Sequence, residues 1–148
     1  LKKYGSLNSQ MEKLDLVTIN AMEKGWDPIY GALLRFVDRS GAMPSGEAGD
    51  SAYEKLILDT WDMKLWWPHS EILYTTLLLY TLTDKEIYWQ WYQKAADYIF
   101  SVFPNQQIGE WIQIRQRDGK PQDKVVALPV KDPFHIMRNF IKIVELLR

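Results

Sequence analysis

Two stretches of this chain carry residues whose types and spacing suit proton transfer. The first is Lys64-Leu65-Trp66-Trp67-Pro68-His69-Ser70-Glu71, in which a tryptophan pair runs into a proline and then into an apolar helix. The second is Asp132-Pro133-Phe134-His135-Ile136-Met137-Arg138, where another proline opens another apolar helix. They hold the chain's 2 histidines, each in a first helical turn. Proline suits the first position of a helix, where its missing N–H costs nothing. With Pro133 there, His135 is the third helical residue, and Arg138 and Asn139 follow on the same face. A neutral imidazole is a general base near working pH, and an adjacent guanidinium can stabilise a developing oxyanion. The bland alternative is a capping or core histidine with Arg138 paired to a surface carboxylate.

Trp67 and Glu71 stand four residues apart and share a face of the first helix. A carboxylate on so apolar a helix must be paired. It could hold sugar hydroxyls, orient an imidazole, or form a salt bridge within the fold. His69 faces another side, where a structural role is equally open. Other chemistries find little purchase. No cysteine is present, which excludes disulfides, thiolate zinc ligands and a thiol nucleophile. No local histidine spacing suits a metal, so none is expected. No glycine-rich phosphate loop or nucleophile elbow occurs.

Seven Trp and eight Tyr offer flat faces that stack on sugar rings, although large aromatics also fill cores. Net charge is −1, with Lys and Arg scattered, so neither nucleic acid nor a membrane surface is an expected partner. The longest nearly apolar run, Ile72 to Leu82, is too short to span a bilayer. The chain starts at Leu1 and shows no signal peptide; absent cysteine is compatible with the cytoplasm, the expected location.

The elements that must position these residues read mostly as helices. Residues 1–24 form a helix whose buried face is predicted as Leu7, Met11, Leu14, Val17, Ala21 and Met22, with Gly25 as its stop. Residues 25–31 form a turn-rich loop, and Ala32 to Asp38 a short strand turning at Arg39-Ser40-Gly41. After the loop at 44–50, residues 51–64 are helical or extended. A helix buried on most sides runs from Pro68 to about Leu82. Thr83-Asp84 caps an amphipathic helix from Lys85 to about Phe103. Gly109-Glu110-Trp111 opens a strand, Asp118-Gly119 marks a hairpin turn, and Val125 to Val130 returns. Asp132 caps the last helix. The order of loop, proline and buried helix occurs twice, a weak repeat of helix pairs. Concentric helices follow, meaning an α/α toroid or part of one, with short hairpins at one end.

Gly25-Trp26-Asp27-Pro28 with Tyr30-Gly31, then Lys64 to Glu71, then Gly109-Glu110-Trp111, then Pro133-Phe134-His135 with Arg138 resemble the C-terminal part of the N-acylglucosamine 2-epimerase family. That family includes renin-binding proteins, cellobiose 2-epimerases and related aldose–ketose isomerases. The resemblance spans nearly the whole chain, in order. It implies an all-α (α/α)6 barrel, here about half of it, with residues 1–148 as the C-terminal part of one domain. It implies cofactor-free proton transfer at C2 of an open-chain sugar by two histidines on opposite faces of the substrate. One maps to His135. Glu71 maps beside it as a catalytic residue, and Trp67, Arg138, His69 and Trp111 are expected to contact substrate. The other histidine and a substrate-binding arginine would lie before Leu1, so this chain alone should be inactive. A homodimer is expected from the family only. Gly31-Ala32 replaces a usual double glycine, and Pro121-Gln122-Asp123-Lys124 lengthens the last hairpin, both in loops that distinguish substrates. The Pro-Phe-His-x-x-Arg ending is closer to the N-acetylglucosamine epimerases than to the cellobiose branch. Three functions therefore stand: a 2-epimerase interconverting N-acetylglucosamine and N-acetylmannosamine, a mannose-type aldose–ketose isomerase, and a non-catalytic sugar- or protein-binding module.

Overall fold

The computed structural model describes residues 8–47, 49–122 and 133–148. Its elements in chain order are α1 (Asn8–Gly25), α2 (Ala52–Thr60), β1 (Lys64–Leu65), α3 (Trp66–Thr83), α4 (Glu86–Val102), β2 (Pro104–Asn105), β3 (Glu110–Trp111), β4 (Ile114–Arg115) and α5 (Phe134–Leu146). The helix α3 is apolar nearly all round, and it packs against both α4 and α5. Leu73, Leu77 and Leu79 of α3 are buried, with Ala95 and Ile99 from α4 and Ile143 from α5. Met22, Trp26, Leu65, Trp66 and Phe103 extend this core toward the loops.

The strands are two-residue antiparallel pieces. β2 and β3 form a hairpin with Pro104 opposite Trp111, while β1 pairs with the distant β4, Lys64 opposite Arg115. The latter pairing joins the entrance of α3 to the segment after α4, and Trp66 N–H continues it by donating to the Gln113 carbonyl at 2.9 Å. No side chain caps α3; this main-chain bond meets one of its orphan donors.

Several expectations are corrected. Residues 32–38 form no strand; only a bridge from Trp26 to Leu33 is present. Their main chain instead bonds outward: Leu34 N–H donates to the Gly25 carbonyl at 2.8 Å and Phe36 N–H to the Trp61 carbonyl at 3.0 Å. The turn at Arg39-Ser40-Gly41 does form, because Asp38 Oδ1 accepts from the Ser40 and Ala42 N–H groups. Asp84 ends α3 in the left-handed conformation (φ 55°) rather than starting α4. Leu14, Val17 and Ala21 of α1 are exposed, and its inner stripe is Asp15, Thr18 and Met22. Asp15 turns that stripe inward by accepting from Tyr88 and Lys85 at the start of α4. α3 begins at Trp66, so Pro68 is its third residue, still within the turn that lacks internal N–H partners. Pro133 caps α5, placing His135 second. The Asp118-Gly119 turn is present: Gly119 has φ 85°, and Gln116 N–H donates to the Lys120 carbonyl at 3.0 Å. Leu7, the return strand Val125–Val130, the Asp132 cap, and Asp123 and Lys124 of the lengthened hairpin lie outside the described residues.

Candidate active site

The first turns of α3 and α5 converge. Their helices pack along Ile143 and the buried polar Asn139, whose Nδ2 donates to Ser70 Oγ at 3.1 Å. Ser70 Oγ donates in turn to the Trp67 carbonyl at 2.9 Å. This chain sets the register of the two helices, so that Glu71 meets His135. The His135 Nδ1–H donates to Glu71 Oε1 at 2.6 Å. Arg138 Nη2 donates to the same oxygen. Arg138 is held in turn by Asn139 Oδ1, which accepts from its Nε at 3.2 Å, and it lies over the Phe134 ring. Trp67 completes the cluster, its ring centroid 5.2 Å from that of His135 and its indole 41% exposed. The side chains of His135, Glu71 and Arg138 each keep about a third of their surface exposed, as groups that meet a solute must.

The Glu71 carboxylate favours a proton on Nδ1 of His135 and holds the ring's orientation, and in that tautomer Nε2 is the basic nitrogen. Trp67 offers a flat apolar face beside it, suited to the C–H face of a pyranose-sized molecule.

Of the expected site residues, Glu71, Trp67, His135 and Arg138 are brought together. His69 stands apart from these four, in the wall of a cavity that Trp67 also lines. It is buried (1% exposed) against Phe103 and Tyr98, and both ring nitrogens serve the main chain. Leu33 N–H donates to its Nε2 at 3.0 Å, so its Nδ1–H donates to the Leu65 carbonyl. Burial pushes its pKa down to about 4, the Leu65 bond opposing and the Lys64 charge reinforcing the shift. Its place is to pin the 32–36 segment to the start of α3. Trp111 likewise sits among core rings, stacked on Phe103 at 5.7 Å and edge-on to Phe140.

Sequence reasoning overlooked a buried ionic cluster beside this site. Lys64 and Asp27 are both fully buried, Nζ to Oδ2 3.1 Å, and Arg117 Nε meets the same carboxylate at 2.8 Å. Burial alone would raise the Asp27 carboxyl, but donors from Arg117, the Ile29 N–H and Lys64 overcome it and hold it well below the usual carboxylate range. Desolvation pulls the Lys64 ammonium down to about 8, against the Asp27 attraction. The signal was present in the paired motifs Trp26-Asp27-Pro28 and Lys64-Leu65-Trp66, each charge flanked by large apolar groups.

Two cavities flank these elements. One, of about 340 Å³, is lined by Trp67, Pro68, Leu65, Leu34, Arg35 and Phe36 among others. The other, of about 520 Å³, is more open, includes Tyr30, Asp62, Arg117 and Asp118, and contains none of the His135 cluster.

A model of the family described as N-acylglucosamine 2-epimerase (GlcNAc 2-epimerase) matches residues 5–138. The chain belongs to the N-acylglucosamine 2-epimerase family. Within it, the chain is 30% identical over 143 residues to the N-acylglucosamine 2-epimerase of Bos taurus, covering 97% of this chain and 31% of that one. It is 29% identical over 134 residues to the Homo sapiens protein of the same name, covering 90% and 29%. The chain thus spans about a third of the length of these relatives. A solved D-mannose isomerase superposes with TM-score 0.76 at 20% identity over 97% of this chain and 32% of its own. The helices of this family member therefore form part of an (α/α)6 barrel, as the motif resemblance implied. Among the described residues no helix is long and apolar enough to cross a membrane.

Proposed function

We propose that the whole protein is a sugar 2-epimerase that interconverts N-acetylglucosamine and N-acetylmannosamine by proton transfer at C2. One observation carries this reading: the first turns of α3 and α5 meet so that Glu71 holds Nδ1 of His135 at 2.6 Å with the Trp67 ring alongside. Relatives at about 30% identity that bear the name N-acylglucosamine 2-epimerase supply the sugar. His135 Nε2 removes the C2 proton of the open-chain aldose. The electron pair moves into the C1–C2 bond, and the carbonyl oxygen takes the negative charge. Glu71 keeps the imidazole in the tautomer that can accept, and stabilises the imidazolium that results. Arg138 supplies positive charge next to that carboxylate. Trp67 seats the sugar. Return of a proton to the opposite face of C2 completes epimerisation and needs a second acid, which the family resemblance puts on a helix preceding Leu1. Return to C1 would yield a ketose.

The test uses the whole protein in heavy water with N-acetylmannosamine, followed at C2 by proton NMR. Deuterium is expected at C2 with N-acetylglucosamine accumulating, and His135→Ala should lose both. Exchange with mannose alone, forming a ketose, would turn the reading to an aldose–ketose isomerase. No exchange with any aldose would leave a sugar- or protein-binding module on this scaffold.

A further inference from the structure

The 32–36 segment carries a cation that the cluster at His135 does not use. Arg35 lines the 340 Å³ cavity whose wall includes Trp67, the same indole that lies against the His135 ring. Its backbone is fixed on both sides. Leu33 N–H is held by His69, Leu34 N–H by the Gly25 carbonyl, and Phe36 N–H by the Trp61 carbonyl. The guanidinium rests over the Phe36 ring, 5.0 Å from its centroid. Among the described residues its Nη1 is buried and has no hydrogen-bond partner, and no carboxylate pairs with it. A buried donor on a charged group is costly to leave unmet.

We propose that Arg35 is a specificity-determining residue that donates to the acyl carbonyl oxygen of a 2-acylamino sugar. The inference rests on the sugar-epimerase reading above and names the part of the substrate that this cavity takes. The rest of the cavity wall is largely apolar, with Leu34, Phe36, Leu65 and Pro68 contributing. An acetamido group matches that lining: one strong acceptor oxygen for the cation and a methyl group for the apolar wall. A carboxylate or phosphate would be stripped of water with a single cation to receive it, which is unfavourable by several kcal/mol in general. A plain hydroxyl is the weaker acceptor and leaves the apolar wall unfilled. Arg35 thus discriminates an acylated from an unacylated hexose, while the chemistry at C2 belongs to His135.

The experiment is steady-state kinetics of the whole protein with N-acetylmannosamine as substrate and mannose as competitive inhibitor, in wild type, Arg35→Met and Arg35→Lys. Arg35→Met is expected to raise KM for the acylated sugar about 10- to 100-fold, the loss of one charge-assisted hydrogen bond. The inhibition constant of mannose should shift less than about twofold, because it lacks the acyl oxygen. Arg35→Lys should recover part of the KM, and both variants should keep the wild-type thermal midpoint. Equal weakening of both sugars would make Arg35 a general support of the pocket and overturn the proposal, as would unchanged KM. Stronger inhibition by a hexuronate than by N-acetylmannosamine, abolished in Arg35→Met, would also overturn it in favour of an anion site. If wild type turns over no acylated sugar, the epimerase reading fails and the acyl-reading role falls with it. Turnover with indifferent Arg35 variants fails the Arg35 proposal alone.

Discussion

The two histidines end in opposite situations, and each makes a different measurement informative. His135 shares its carboxylate partner with Arg138, so Glu71→Gln keeps the shape and an acceptor oxygen but removes the negative charge that holds both donors. The whole protein should then lose about 10- to 100-fold in kcat, a typical cost for misorienting a catalytic base, with a smaller change in KM. His69 is a stability group. Its folded pKa of about 4 lies below the ordinary 6.5, so the unfolded chain binds the extra proton between those values. Stability is therefore full above pH 6.5 and is lost as pH falls toward 4. Linkage gives about 2 kcal/mol between pH 7 and pH 5. Urea melts at those two pH values should show that loss in wild type and a flatter response in His69→Gln. Sequence placed both rings correctly in first helical turns, and spacing separated the face of Trp67 and Glu71 from that of His69. It could not tell which histidine would be sealed, because that depends on Leu33, a residue 36 positions away that donates to one of them.

At the scale of elements, the helices were legible because their apolar periodicity is local, as were the tight turns at Arg39-Ser40-Gly41 and Asp118-Gly119, but the pairing of the segments between them was not. The capping box of α2, Ser51 with Glu54, marks a helix start where periodicity alone leaves helix and extended chain both open. The 32–38 segment reads as a short strand from its apolar pairs Leu33-Leu34 and Phe36-Val37, yet among the described residues no neighbouring strand offers it a ladder, and its N–H groups go to Gly25, His69 and Trp61 instead. What fixes this segment is the turn before it, where Gly31 (φ 75°) and Ala32 (φ 66°) are both left-handed. Gly31→Ala would add a Cβ 3.2 Å from the Tyr98 ring to that conformation and should cost about 1–2 kcal/mol in a denaturant melt. The turn is closed from below by Asp27, with Lys64 Nζ also reaching the Ala32 carbonyl at 3.4 Å. Asp27→Ala leaves Lys64 as an uncompensated buried cation and should cost about 3–5 kcal/mol. Lys64→Met should cost less, because Arg117 still neutralises Asp27. Equal costs for the two variants would refute that ordering.

For the molecule as a whole, the site exists only because two helices distant in sequence hold a common register. The packing of α3 on α5 is mostly apolar and non-directional, so it sets the distance between helices better than the position along them. Direction comes from the buried Asn139–Ser70 hydrogen bond, which on α5 lies one turn beyond His135 and on α3 comes from the residue next to Glu71. A slip of a fraction of an ångström there would displace the imidazole from its carboxylate and from Trp67. Asn139→Leu keeps the branched heavy-atom outline and removes the bond. It should lower stability by about 1–3 kcal/mol, since Ser70 loses its donor and Arg138 loses the Asn139 oxygen. Its effect on catalysis should be the larger: kcat in the whole protein should fall at least about tenfold while KM changes little, because misplacement penalises the reacting geometry more than the binding of the ground state. A variant that loses stability by that amount yet keeps wild-type kcat would show that apolar packing alone sets the register, and that the polar pin serves only the fold.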